Sequence, residues 1–148
     1  MLCQLNLRES QAPSVGQRGP MKQLDRCPCG APAEYPACCG RYLDAKLCPD
    51  TAEALMRSRY VAYVRGRTDY LLRTWHASTR PPTLDLEGEP ARWLGLQVRR
   101  VEAGGPGDRH GVVEFVARYK IGGRAHRLHE TSRFVREDGR WFYLDAAV

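Results

Sequence analysis

The spacing of apolar residues changes once along this chain, and that change most constrains how the chain can fold. Between residues 50 and 80, apolar side chains such as Ala52, Met56 and Tyr60 recur at the spacing of one face of a helix. From Trp93 onwards, apolar and polar residues alternate, as is typical of half-buried strands. Helices followed by strands predict an α+β domain in which an antiparallel sheet packs against the helices.

Turn and cap residues set the predicted limits of the helices. We expect the first helix to begin after an N-cap at Asp50, with Glu53 three residues later as in a capping box, and to end at Gly66. A second, short helix is expected to start at Thr68 or Asp69. Its apolar side carries Tyr70, Leu71, Leu72 and Trp75.

Glycine-containing turns divide the second half of the chain into strands. The segment from Val112 to Ile121 is the clearest strand, because every second residue is apolar. A wide turn is expected at residues 103–109, and tight turns are expected at Gly122-Gly123 and Asp138-Gly139. The sequence therefore predicts a meander of antiparallel strands starting near residues 93, 112, 124 and 141.

Four cysteines lie close together before the first helix. They stand as Cys27-Pro28-Cys29 and, after eight residues, Cys38-Cys39. Four thiolates in a short, loop-rich segment suit one tetrahedral zinc ion, although two disulfides or free thiols are open alternatives. Cys3 and Cys48 lie outside the pattern and are interpreted as non-ligands. The basic residues Lys22, Arg26 and Arg41 are near enough in sequence to offset the negative charge of such a site.

Three regions are expected along the chain. Residues 1–20 are polar and lack periodicity, which predicts a disordered tail. A second methionine, Met21, stands just before the cysteine segment, and a further hypothesis is that translation begins at this residue. Residues 21–49 form the cysteine knuckle and its joint, and residues 50–148 form the larger domain. The first ten residues lack the apolar core of a secretory signal, and no apolar run is long enough for a membrane helix. We therefore expect a cytoplasmic protein that does not bind membranes.

The formal net charge of +6 raises the question of nucleic-acid binding. The chain has no run of five or more basic residues and no recognisable nucleic-acid-reading motif. A nucleic-acid partner is therefore not expected.

Two sets of motifs carry a family resemblance. The pattern CPCG, eight residues, CCG resembles the SEC-C motif, a zinc-binding tail of the preprotein-translocase motor. The strings ALMRSRYVAYVRGRTDYLLRTWHASTR, WLGL and HETSRFVREDGRWFYLDA look like the YchJ family of uncharacterised bacterial proteins. The resemblance implies a nuclear-transport-factor-2-like domain, a cone of curved antiparallel sheet closed by helices. It also implies that Cys27, Cys29, Cys38 and Cys39 bind one structural zinc ion. Related cones often form homodimers through the sheet, but the oligomeric state of this chain is left open.

Related cones hold pockets lined by aromatic and ionisable side chains, which suggests candidates for a catalytic site. His76 with Glu130 would serve as base and orienter, and Tyr60 would stabilise an oxyanion. Alternatively, His76 caps or packs at a helix end, Glu130 and Arg133 belong to a salt-bridged sheet face, and Tyr60 belongs to the core. Further candidates are Tyr63, Trp75, Arg80, Glu114, Arg133 and Tyr143.

Two functions follow from these observations. The first is a zinc-binding adaptor with a protein partner, which the SEC-C resemblance places in the translation or secretion apparatus. The second is a small-molecule-binding enzyme of the lyase or isomerase kind that uses the cone pocket. No cofactor other than zinc is expected for either function.

Overall fold

The computed structural model of the protein describes residues 26–84, 86 and 91–147. The predicted tail, the Met21 start, Cys3 and Lys22 lie outside these residues. A 3₁₀ turn at Tyr35–Ala37 precedes the helices α1 (Gly40–Leu43), α2 (Ala52–Arg65) and α3 (Thr68–Arg73). The strands are β1 (Arg92–Ala103), β2 (His110–Ile121), β3 (Arg124–Glu137) and β4 (Arg140–Ala146). None of the helices in the described part of the chain has the length and apolar character needed to cross a bilayer.

The four strands form one antiparallel sheet in the order β1-β2-β3-β4. This arrangement confirms the predicted α+β class and the meander. Register shifts interrupt β1 in two places and the β3–β4 pair in one. Such bulges increase the local bend and twist of a sheet, and the concave face that results receives α2.

Helix α2 begins one residue later than predicted. Thr51 is the N-cap, and its hydroxyl accepts a hydrogen bond from the Ala54 amide at 3.0 Å, so the predicted cap at Asp50 is wrong. Glu53 pairs with Arg57 instead of completing a capping box. The helix ends at Gly66, as predicted. Gly66 is the C-cap and lies in the left-handed region at φ 68°.

One apolar core joins the cysteine segment to the larger domain. Leu55 and Val61 on α2, Leu71 on α3 and Val113 on β2 are fully buried, and Cys29 belongs to the same core. The knuckle is too short to bury a core of its own. It is therefore held by the helices and the sheet.

A close approach of two glycines seats the β1–β2 turn on the start of α2. The Ala52 amide donates to the Gly104 carbonyl oxygen at 2.9 Å. A Cβ added to Gly111 would lie 2.6 Å from the Gly104 Cα and 2.9 Å from the Ala52 Cβ. These neighbours are backbone and a short side chain, so they cannot move aside as a long side chain would. Only glycine at this position allows the turn to cap the helix.

We expect Gly111→Ala to lower the free energy of unfolding by about 1–3 kcal/mol, because the added methyl group overpacks this contact. Gly107→Ala is the matched control, since nothing lies within 4 Å of its added Cβ. The control variant should stay within about 0.5 kcal/mol of the wild type. Unfolding in urea, followed by circular dichroism, measures both variants. Equal midpoints for the two variants would contradict the prediction.

Candidate functional site

Two loop turns bring the four clustered cysteines together. The Cys27 amide donates to the Ala33 carbonyl oxygen at 2.8 Å, and the Gly30 amide donates to the Cys27 carbonyl oxygen at 3.2 Å. Cys38 ends the 3₁₀ turn, and Cys39 is the N-cap of α1. The predicted ligands therefore come from a tight turn on one side and a helix start on the other.

The geometry of the four sulfurs suits a tetrahedral metal ion. All four Sγ atoms lie within 4.8 Å of one another, and those of Cys29 and Cys38 are 3.7 Å apart. In a tetrahedron with metal–sulfur bonds of 2.3 Å, neighbouring sulfurs are about 3.8 Å apart. All four are free thiols, so the disulfide alternative does not apply to them. The donor set therefore fits a metal that prefers four thiolates.

The electrostatics of the cluster also favour a cation. Hydrogen bonds from Cys27 and Cys39 lower the pKa of Cys29, so one thiolate forms readily. Burial, followed by the charge of the Cys29 thiolate, raises the pKa of Cys38. Four thiolates therefore require a bound cation among them.

Two arginines lie against the cysteine backbone. Arg57 on α2 donates to the Cys29 carbonyl oxygen at 2.8 Å, and Arg41 donates to the Cys38 carbonyl oxygen at 2.9 Å. Arg41 was among the basic residues expected near the cluster, whereas Arg57 was not expected there. The positive charge beside the cluster thus comes partly from the larger domain.

A second candidate site is a cavity of about 240 Å³ between the concave face of the sheet and the helices. Its walls are mostly aromatic, and Trp93 contacts Tyr60 and Tyr63 at ring-centroid distances of 5.6 and 5.8 Å. Leu128 also lines the cavity and is 38% exposed, so the cavity opens to solvent beside β3. The other aromatic residues of the wall are Trp75, Phe115, Phe134 and Tyr143.

Arg59 is the cation of this cavity and is only 6% exposed. Its Nη1 donates to the Leu71 carbonyl oxygen at 2.8 Å and to the Thr74 hydroxyl at 2.7 Å. The guanidinium carbon lies 5.0 Å from the centre of the Trp75 ring and 4.6 Å from that of Tyr143. Burial lowers the pKa of Arg59, but an arginine starts high enough to remain charged at neutral pH.

Glu130 lines the same cavity from β3. Its Oε2 accepts hydrogen bonds from the hydroxyls of Ser132 at 2.6 Å and Tyr143 at 3.2 Å. Burial, followed by the charge of Glu130, raises the pKa of Tyr143, so this phenol is a donor at neutral pH. Burial likewise raises the pKa of Tyr60 to about 12, so Tyr60 is also neutral.

The structure does not bring His76 and Glu130 together as the predicted pair. The His76 ring hydrogen-bonds to Ser78 through Nδ1 at 2.7 Å and to Glu137 through Nε2 at 2.8 Å. It packs on Phe142 with ring centroids 5.9 Å apart. His76 therefore lacks the orienting carboxylate that the hypothesis gave it, and the assignment of catalytic residues stays a prediction.

The other candidates divide between the cavity and the surface. Tyr60, Tyr63, Trp75 and Tyr143 line the cavity together with Glu130. Arg133 forms an exposed ion pair with Asp145, and Glu114 pairs with Arg100 and His129. Arg80 donates to the Trp75 carbonyl oxygen at 3.0 Å. The interpretation as part of a salt-bridged sheet face therefore agrees with the structure for Arg133. It does not agree for Glu130, which accepts hydrogen bonds from two hydroxyls.

Sequence reasoning did not single out Arg59, although a signal was present. Met56, Arg59, Tyr60 and Tyr63 follow the i, i+3, i+4, i+7 spacing of one helix face. A charged residue inside such an apolar stripe predicts a buried charge, which needs hydrogen bonds or other polar contacts around it. Because the chain contains many other arginines, Arg59 did not stand out among them.

Comparisons with known proteins agree on the family. A family model described as "YchJ, middle NTF2-like domain" matches residues 51–146. A UPF0225 protein of Chromobacterium violaceum is 60% identical over 126 residues, which cover 82% of this chain and 92% of the relative. A UPF0225 protein of Methylibium petroleiphilum is 57% identical over 122 residues, covering 82% of this chain and 88% of the relative.

Solved structures of SEC-C motif-containing proteins have the same fold. The solution structure of one from Rhodopseudomonas palustris has a TM-score of 0.72 and 33% identity, covering 82% of this chain and 97% of that one. A crystal structure of one from Psychrobacter arcticus has a TM-score of 0.67 and 30% identity, covering 82% of this chain and 81% of that one. The nuclear-transport-factor-2-like cone with a cysteine cluster before it is thereby confirmed. The chain belongs to the YchJ family, also named UPF0225, of bacterial proteins.

Proposed function

We propose that this protein is a zinc-binding interaction module that holds a segment of a protein partner between its knuckle and its cone. The observation that carries the proposal is a groove of about 370 Å³ that both parts line. Pro28 and Ala31 contribute to it from the knuckle, and Val64 and Leu94 contribute from the cone. A partner in this groove would contact both parts at once.

The groove has the composition of a binding surface. Val64 is 36% exposed and Leu94 is 47% exposed, and these apolar side chains gain from being covered. Strand β1 forms an edge of the sheet next to the groove. Extended peptides bind such edges by adding main-chain hydrogen bonds, while neighbouring pockets select their side chains. The occupant that we propose is therefore an extended, partly apolar segment.

Zinc would act by fixing one wall of this groove. The four-cysteine set is the one that structural zinc sites use, and all four positions would be filled by protein ligands. Four thiolates and one Zn²⁺ carry a net charge of −2, which Arg57 and Arg41 beside the cluster would partly offset. The metal would thus be structural, and the groove would be the functional surface.

The SEC-C resemblance of the cysteine cluster extends the proposal to the identity of the partner. We infer that the partner belongs to the translation or secretion apparatus of the bacterial cytoplasm. The cross-linking experiment below also tests this step, because it identifies the partner by mass.

We expect about one zinc ion per chain in protein purified without chelator under reducing conditions. Cys29→Ser should lose the metal, because a three-thiolate set leaves the tetrahedron incomplete. Cys48→Ser is the matched control and should retain the metal, since Cys48 lies outside the cluster. Elemental mass spectrometry measures the content. Protein without metal, or with iron in place of zinc, would contradict the proposal.

Chelation should lower the thermal unfolding midpoint of the whole protein in a single transition. The reason is that Cys27, Cys29 and Cys39 share one apolar core with α2 and the sheet. Tryptophan fluorescence reports on the cone through Trp93 and Trp141, and re-adding Zn²⁺ should restore the midpoint. A cone midpoint that is indifferent to chelator would show that the knuckle does not contribute to its stability.

A photo-cross-linking residue placed at Leu94 in the full chain should capture one partner of defined mass in cells. The same residue at Val101 is the matched control, because Val101 is also exposed on β1 (41%) but does not line the groove. Adding Cys29→Ser should abolish the Leu94 adduct. Equal adducts at both positions would refute a specific groove. An adduct of twice the chain mass would identify a second copy as the occupant in place of the proposed partner.

A further inference from the structure

The cone cavity contains an arginine that forms no direct ion pair within the described part of the chain. No carboxylate of a described residue lies within the 4.0 Å ion-pair distance of Arg59. The aromatic faces of Trp75 and Tyr143 offset part of the cost of burying the charge. A buried cation without a paired anion is nevertheless expensive for a protein to maintain.

Arg59 also has hydrogen-bonding capacity to spare. Both of its bonds to the described residues are made by Nη1, so the three N–H groups on Nε and Nη2 have no acceptor there. The nearby indole Nε1 of Trp75 is buried and lacks a hydrogen-bond partner in the same part of the chain. Arg59 therefore offers three unused donors on one cation, and the Trp75 indole beside it carries a further donor of the buried kind that is normally paired.

The carboxylate of Glu130, which lines the same cavity, does not accept hydrogen bonds from these donors of Arg59. The Oε2 of Glu130 accepts from two hydroxyls instead, so Glu130 acts on the charge of Arg59 only through space and without a direct hydrogen bond. A ligand that used these donors together would be a planar anion that accepts several hydrogen bonds at once. A carboxylate is flat and has this geometry, because a guanidinium can bind both of its oxygens through two parallel hydrogen bonds.

The size and walls of the cavity define the rest of the ligand. An engineered apolar cavity of about 150 Å³ in another protein binds benzene. The cavity here, at about 240 Å³, has room for one ring and a substituent. Its aromatic walls favour contacts with a flat apolar group, since offset or edge-to-face ring contacts are favourable.

We propose that the cone cavity binds a small aromatic carboxylate, whose carboxylate accepts hydrogen bonds from Arg59 and Trp75 while its ring packs on the aromatic walls. This inference does not depend on the proposed partner groove. The groove lies between the knuckle and the outside of the cone, and only Tyr60 and Trp93 line both.

Benzoate and benzamide form the direct test, because they share a shape and differ in charge. Isothermal titration calorimetry on the full chain should show that benzoate binds about 10- to 100-fold more tightly than benzamide, as expected for charge-assisted hydrogen bonds to a buried guanidinium. Equal affinities, or no binding of benzoate at millimolar concentration, would overturn the proposal.

The indole N–H resonances locate the binding. In ¹⁵N-correlated spectra, benzoate should shift the Trp75 indole resonance, because its unpaired N–H gains an acceptor. Trp141 is the internal control, since its Nε1 already donates to the Asp50 carbonyl oxygen at 3.1 Å. A shift at Trp141 with none at Trp75 would place benzoate outside the cavity and refute the assignment.

Two variants separate binding from folding. Glu130→Gln removes a negative charge from the cavity wall and should tighten benzoate binding relative to benzamide. Arg59→Gln should reduce the preference for benzoate at least tenfold, provided that it folds, since Arg59 also holds the end of α3. The proposal fails if Glu130→Gln weakens benzoate and benzamide equally, because the residue would then act only on the structure. This variant decides the question even if Arg59→Gln does not fold.

Discussion

The packing of α2 against three different neighbours is the constraint on which the rest of the structure depends. Arg57 bonds to the knuckle, Ser58 shares a 2.7 Å hydrogen bond with Tyr70 of α3, and Tyr60 packs on Trp93 of β1. Because α2 is covered on all these sides, its conformation and position are set together with those of the sheet and the cysteine cluster. The cysteine cluster and the cone cavity therefore both contact α2, on different faces of the helix. A movement of α2 would affect both sites.

The sequence was sufficient to predict most of the fold. The change of apolar period separated helices from strands, and the turns at Gly122-Gly123 and Asp138-Gly139 have the positive φ values that glycine and aspartate tolerate. The N-cap was misplaced because Asp50 and Thr51 are both good cap residues, and only the hydrogen bond to Ala54 decides between them. Local cap chemistry is therefore less specific than periodicity.

The candidate sites were predictable to different degrees. The cysteine cluster could be predicted because its four candidate ligands are close together in the sequence. Cysteine is also one of the few residue types that bind zinc. The cavity was not, because Arg59 and Glu130 are 71 residues apart in the chain, and no local pattern shows that α2 and β3 face each other. His76 and Glu130 were paired by residue type alone, and the strand register places Glu137 beside His76 instead.

Both edges of the sheet have a partner along part of their length. On β4, the Tyr143 backbone exchanges hydrogen bonds of 2.8 Å with residues 74 and 76. On β1, the Gly30 turn approaches so closely that an added Cβ would lie 3.3 Å from the Leu96 carbonyl oxygen. Open sheet edges pair readily with the same edge of another molecule, which is a common beginning of aggregation. A knuckle that came loose would uncover this part of β1 and leave the edge open to such pairing.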